Sequence, residues 1–226
     1  MKKGILALAV ASLAASFGRG AMTNGWTDVA NADLILGVDP AANRSLLVDG
    51  ASTYVTAGTA SALEATTHLT VEAWIRPTGA GTDSTYGGII VNREGEYEIA
   101  RFADGSIGWA FANGNPGWTW IDTGYVAALD EWTHIAVVYD GGRVDTYANG
   151  ALVHTYEGAG AIGDVSGSQE ELRIGSRQGT EQDFVGNIDE VRVWTVSRTA
   201  AQIASGYRAS LPADLTGLAA AWHFDE

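Results

Sequence analysis

Between Ser45 and Phe224 no apolar run survives for long before a turn signal interrupts it. Asp49-Gly50, Glu94-Gly95, Asp104-Gly105, Asp140-Gly141-Gly142 and Asn149-Gly150 stand between short stretches of branched and aromatic residues. Asp-Gly and Asn-Gly reach the positive φ values that tight hairpins require, so this punctuation constrains the fold more than any single motif. The expected strands are 45–48, 53–56, 69–76, 88–92, 96–102, 107–111, 133–139, 143–148 and 152–156, with 218–224 as the last. In the third of these Val71, Ala73 and Ile75 share one face and Thr70, Glu72, Trp74 and Arg76 the other, as in a strand buried on one side. Pro77 closes it.

A closing unit follows a glycine-rich loop. Leu172-Arg173-Ile174-Gly175 precedes Phe184 to Trp194, where isoleucine, valine and tryptophan recurring at every second position from Ile188 or Val191 to Trp194 predict a strand with one face buried. Behind it, Thr199 with Gln202 three residues on is a capping-box pattern, and Gly206 is a stop, which predicts one short helix. No strand–helix–strand alternation occurs. The fold class expected is all-β, a two-sheet antiparallel jelly-roll sandwich with one short helix near the C-terminus.

Composition excludes several functions. A formal charge of −14 over 226 residues repels phosphate backbones and anionic lipid, so neither nucleic acid nor a membrane surface is expected as a partner. Without cysteine there is no disulfide, thiol catalysis or thiolate zinc site.

The N-terminus carries its own signal. Lys2 and Lys3 precede an apolar stretch from Ile5 to Phe17, with Ala14 and Ser16 as a small-x-small pair. Residues 1–20 read as a secretory signal peptide, or as an apolar arm retained in an assembly. Residues 21–44 form an extended lead-in and 45–226 one domain.

Five motifs in order carry a resemblance: Thr70 to Ile75 followed by Pro77; Trp132 to Gly141; Asn149-Gly150; Leu172 to Gly175; Phe184 to Trp194. Together they resemble laminin-G-like and pentraxin-like domains of the concanavalin A-like jelly rolls. The resemblance implies a sandwich that recognises a glycan or a protein surface, secreted or on the cell surface. It also leaves open a structural role in a particle, such as a phage capsid decoration or fibre protein, and homo-oligomers. It further implies a structural calcium ion, for which Asp49 and Asp189 are the candidate ligands. The pentraxin double-calcium site lacks its acidic–amide insertion in 176–183, so calcium-dependent phosphocholine binding is not expected.

The candidate ligand contacts are aromatic. Trp118 and Trp120 share a glycine-rich loop, Tyr125 follows closely, and Tyr86 lies in another loop; such rings stack on the apolar faces of sugars. Glu94, Glu96 and Glu98 alternate as in jelly-roll glucanases. Gly95 turns the chain between them, which takes Glu94 off the face of the other two, and the protein is expected not to be an enzyme. His68, His134, His154 and His223 lack metal-ligand spacing, and His134 is expected to be a hydrogen-bonded core residue.

Overall fold

A computed structural model describes residues 44–51, 53–167, 171–178, 182–209 and 211–225, together with the backbone of Ser16–Phe17. The expectations for the rest of residues 1–43 lie outside the described residues.

The strands are β1 (Ser16–Phe17), β2 (Leu46–Asp49), β3 (Val55–Thr56), β4 (His68–Pro77), β5 (Gly88–Arg93), β6 (Tyr97–Arg101), β7 (Ser106–Phe111), β8 (Ile121–Val126), β9 (Thr133–Asp140), β10 (Arg143–Ala148), β11 (Ala151–Glu157), β12 (Leu172–Ile174), β13 (Val185–Trp194) and β14 (Leu218–Trp222). The first sheet runs β1-β3-β12-β5-β6-β7-β8; the second runs β11-β10-β9-β4-β13-β14, with β2 also on β13. Named strands pair antiparallel throughout. The expected two-layer sandwich is therefore present.

The inner faces meet as one core. Val71, Ala73 and Ile75 of β4 face Ile99 of β6 and Ile107, Trp109 and Phe111 of β7, all buried. The alternation expected through β13 is broken. The register shifts between Asp189 and Arg192, and Glu190 takes a φ of 48°. This bulge puts Ile188, Val191 and Val193 into the core despite their uneven spacing.

The helix α1 (Ala200–Gly206) forms as expected, with Thr199 and Gln202 capping each other reciprocally. It covers the outer face of the second sheet, where Ile203 packs on Ala136, Val138 and Tyr147. Beneath this cover lies a buried charged network. Glu72 reaches His134 Nε2 at 3.2 Å, Arg192 Nη2 at 3.8 Å and Arg198 Nε at 3.5 Å. Arg198 in turn lies 3.8 Å over the ring of Trp194. Burial pushes the Glu72 pKa up. The His134 hydrogen bond and the charges of Arg192 and Arg198 outweigh it and hold the carboxyl below its ordinary value. Burial keeps His134 neutral and its pKa low. His134 is a buried residue, as the sequence suggested, with Nε2 facing Glu72 and its backbone amide donating to Asn149 Oδ1 at 3.0 Å.

The segment 113–132 departs from expectation. Its strand β8 was not foreseen, because Asp122, Thr123 and Gly124 interrupt the apolar pattern. It is an edge strand, half exposed along most of its length, so little burial was required of it.

Candidate binding face

The outer face of the first sheet is built in rows. Ile89 of β5, Ala100 of β6 and Gly108 of β7 are register partners in one row; Asn92, Glu98 and Ala110 form the next. Ala100, Gly108 and Ala110 thus keep one part of this face low. Phe102 folds back over it: a Cβ on Gly108 would stand 2.1 Å from Phe102 Cζ. Only glycine at 108 lets that ring lie flat on the sheet.

Two loops complete an aromatic cluster on Phe102. Asp83 Oδ1 accepts from the amides of Thr85 and Tyr86 at 2.8 and 2.7 Å, which fixes a tight loop with Tyr86 at its tip. Trp120, just ahead of β8, stacks on Tyr86 with centroids 5.8 Å apart and planes 23° apart. Both rings meet Phe102 edge-on. Tyr86 is 40% exposed, so the stack opens to solvent.

Of the four aromatic residues expected to contact ligand, the fold brings two together. Trp118 is half-buried in the same loop as Trp120 but has no ring contact with it, so the two do not lie side by side. Tyr125 packs against the core, because the alternation of β8 turns it inward. Phe102 was not foreseen; the fit of a large ring to Gly108 across a hairpin has no signal in a linear sequence.

The next row is polar. Asn92 Nδ2 donates to Glu98 Oε1 at 2.6 Å and to Glu94 Oε2 at 3.2 Å. The Arg177 guanidinium grips Glu94 with two bonds of 2.8 Å, donates to Gln182 at 2.9 Å and lies 2.9 Å from Glu98. Burial pushes the Glu98 pKa up to about 8. Arg177 pulls it back, and the neighbouring Glu94 adds to the rise. For Glu94, burial is outweighed by Arg177 and the other hydrogen bonds, and its pKa falls.

This corrects the reading of the alternating acids. Glu94 and Glu98 are the pair that come together, because Arg177 draws Glu94 back over the sheet. Glu96 leaves for the rim, where Arg93 Nε donates to it at 2.5 Å. The Glu94–Glu98 pair does not suit glycoside hydrolysis. Retaining enzymes hold two carboxyls about 5–5.5 Å apart with a sugar between them. Here both carboxyls share one guanidinium and one amide, and the Glu98 side chain is 1% exposed.

Ser197 and Asp140 also meet His68, at 3.1 and 2.9 Å, but both reach the same nitrogen, Nδ1. A proton relay needs one partner on each ring nitrogen, so this is no catalytic triad.

The two carboxylates expected to share calcium do not form one site. Asp49 is the register partner of Val185, at one end of the β2–β13 ladder, and its Oδ1 accepts from the amides of Ala51 and Thr53. Asp189 lies beyond the other end and accepts from the Glu190 amide at 2.8 Å. Burial and the charges of Glu190 and Asp225 push its pKa up to about 8. Among the described residues, no three His, Cys, Asp or Glu side chains converge as metal ligands.

With this geometry in place, a family model described as the concanavalin A-like lectin/glucanases superfamily matches residues 49–204. The chain belongs to that superfamily. Solved structures agree on the fold of this superfamily member. A Bacteroides ovatus protein provisionally named as carbohydrate binding is 24% identical, with a TM-score of 0.56 over 70% of this chain and 46% of its own. Domain 4 of AbnA, an extracellular arabinanase from Geobacillus stearothermophilus solved with arabinotriose, is 19% identical, with a TM-score of 0.52 over 70% and 73%. The botulinum neurotoxin serotype G binding domain is 14% identical, with a TM-score of 0.55 over 70% and 41%. This chain thus spans less than half of the first and third. Comparison with curated proteins returns no match. Among the described residues, no helix is long and apolar enough to cross a membrane.

Proposed function

We propose that this domain is a non-catalytic recognition module that binds a glycan on the outer face of its first sheet, outside the cell or on its surface. The observation that carries the reading is the Tyr86–Trp120 stack, seated on Phe102 and open to solvent. Two stacked rings, their planes 23° apart and both braced by Phe102, offer a rigid apolar surface, and little side-chain entropy remains to be lost when a sugar ring settles on it. The acid–amide–guanidinium row beside it supplies hydrogen-bonding groups. The named character of two of the structural neighbours supports the same class of ligand.

The test is a glycan array followed by tryptophan-fluorescence titration, with arabinotriose as the first soluble probe. Trp120→Ala is expected to weaken binding about ten-fold or more, equivalent to ~1.4 kcal/mol. A parent protein that binds no glycan on the array, or a Trp120→Ala variant that binds as well as the parent, refutes the reading. Hydrolysis of the bound glycan refutes the non-catalytic part.

A further inference from the structure

A narrow cleft opens on the outer face of the second sheet, where the chain enters α1. It encloses about 210 Å³ between β9 and β10 on one side and residues 197–200 on the other. Val138 and Tyr147 line it together with Asp140, Arg143 and Asp145. Arg143, Asp145 and Tyr147 share one face of β10 because they alternate along it. Asp140 joins them as the register partner of Arg143.

Tyr147 is the member whose chemistry is unspent. Its ring packs with Ala136, Val138 and Ile203, and the residue is 5% exposed. Its hydroxyl stands near Asp145 and Arg143, whose charges act on it in opposite directions, and no hydrogen bond to it forms among the described residues. Unlike the indole nitrogens of Trp109 and Trp194, this hydroxyl is not sealed from solvent. Burial and the Asp145 charge push its pKa up, so the phenol keeps its proton and its oxygen remains an acceptor. A tyrosine buried to its tip ordinarily finds a partner for that tip; here the partner has to come through the cleft.

The charges on the rim select the partner. Each nitrogen of Arg143 already donates to Asp145, Glu157 or Thr155. Arg198 belongs to the opposite wall, but its guanidinium turns inward over Trp194 and towards Glu72. An anion would therefore meet three carboxylates and two guanidiniums that are already engaged. The capacity left belongs to acceptors: the Tyr147 oxygen, and Asp140, which is more than half exposed and is held only through Oδ1, by His68. An ammonium group carries three donors on a compact head and can serve both. Val138 and Ala200 supply apolar wall for a methylene stem. The volume is below that of ordinary small-molecule sites and suits one side chain. A chain of formal charge −14 also draws basic partners towards it. We propose that this cleft receives a lysine side chain of a basic partner protein, its ammonium meeting the Tyr147 oxygen and the Asp140 carboxylate. The cleft and the aromatic stack lie on different sheets, and either assignment can fail alone.

The experiment is an amide-resolved NMR titration of the ¹⁵N-labelled protein with the peptide acetyl-Gly-Gly-Lys-Gly-Gly-amide, using the same peptide with norleucine in place of lysine as the uncharged control. Saturable shifts at Asp145, Ser197, Thr199 and Ala200 with the lysine peptide, and none with the norleucine peptide, are expected. Tyr147→Phe removes only a hydroxyl that holds nothing in the fold, and it is expected to weaken binding at least about five-fold, as is Asp140→Asn. Glu131→Gln removes an equal charge from an exposed position before β9, at the opposite end of that strand from Asp140, and is expected to leave binding unchanged. No saturable shift in the parent protein overturns the proposal. So do an equal response to the norleucine peptide, a Tyr147→Phe variant that binds as well as the parent, or a loss in Glu131→Gln as large as that in Asp140→Asn, which would mean attraction to the acidic surface at large.

Discussion

Replacing Glu72 with glutamine removes one negative charge from a group of two buried guanidiniums and a neutral imidazole. Glu72 is 1% exposed, and its carboxylate lies 3.8 Å from Arg192 and 3.5 Å from Arg198. Each pair at such a distance is worth about 4 kcal/mol at an effective dielectric near 20. The gross attraction lost is therefore about 8 kcal/mol, offset by the several kcal/mol no longer spent on desolvating the carboxylate. What remains is the cost of leaving cations buried without their counter-charge, about 3–5 kcal/mol. For a domain of this size that corresponds to a Tm lower by roughly 6–20 °C. Glutamine is nearly isosteric with glutamate, so the change reports charge rather than shape. Differential scanning calorimetry at neutral pH, with urea unfolding as a check, gives the number. A Glu72→Gln variant within about 1 kcal/mol of the parent, or more stable, refutes the reasoning, because the network would then be no better than an uncharged one.

The remaining predictions use the same measurements. Gly108→Ala drives a methyl group into the Phe102 ring and is expected to cost about 1–3 kcal/mol while weakening glycan binding, since Trp120 rests on that ring; unchanged stability refutes it. Glu94→Gln and Glu98→Gln should differ although both remove a carboxylate from one cluster. Glu94 holds Arg177 through two bonds, and its loss is expected to cost about 1.5–3 kcal/mol. Glu98 keeps in the folded state a proton that the unfolded chain releases, so its contribution falls as pH rises from its ordinary value towards about 8. Glu98→Gln is accordingly expected to flatten that decline and to be at least as stable as the parent at pH ~8, and a steeper decline refutes the assignment. His134 has the opposite sign: its folded pKa is lowered, so below about 6.5 the unfolded state takes up a proton that the folded state refuses. Stability is expected to fall as the pH drops below that value, with a smaller slope in His134→Gln.

The sequence disclosed the sandwich well, for a physical reason. Turn chemistry at Asp104-Gly105 and Asn149-Gly150 and the alternation of Val71, Ala73 and Ile75 are local properties, and those elements appear where they were expected. The failures lie where tertiary contacts override local pattern. Strand β8 is held by pairing with β7 despite a polar middle, and the β13 bulge re-aims Val191 and Val193. At the binding face, ring-bearing loops could be named, but which rings meet depends on how the loops fold over the sheet. Tyr125 points inward because its strand alternates, and Phe102 joins the cluster because Gly108 leaves room for it. Arg177 had no signal, since its role exists only once β12 delivers its loop above Glu94 and Glu98.

Strand β13 carries β2 and β14 one after the other along the same edge, so residues 44 and 225 arrive at the same place. The Arg44 amide donates to Asp225 Oδ1 at 3.3 Å, across nearly the whole length of the domain. A short linker joining these positions would span almost no distance. Circular permutants of residues 44–225, or insertion of that stretch into a surface loop of a host protein, are therefore expected to preserve strands β2 to β14 and to leave the aromatic stack facing as it does now.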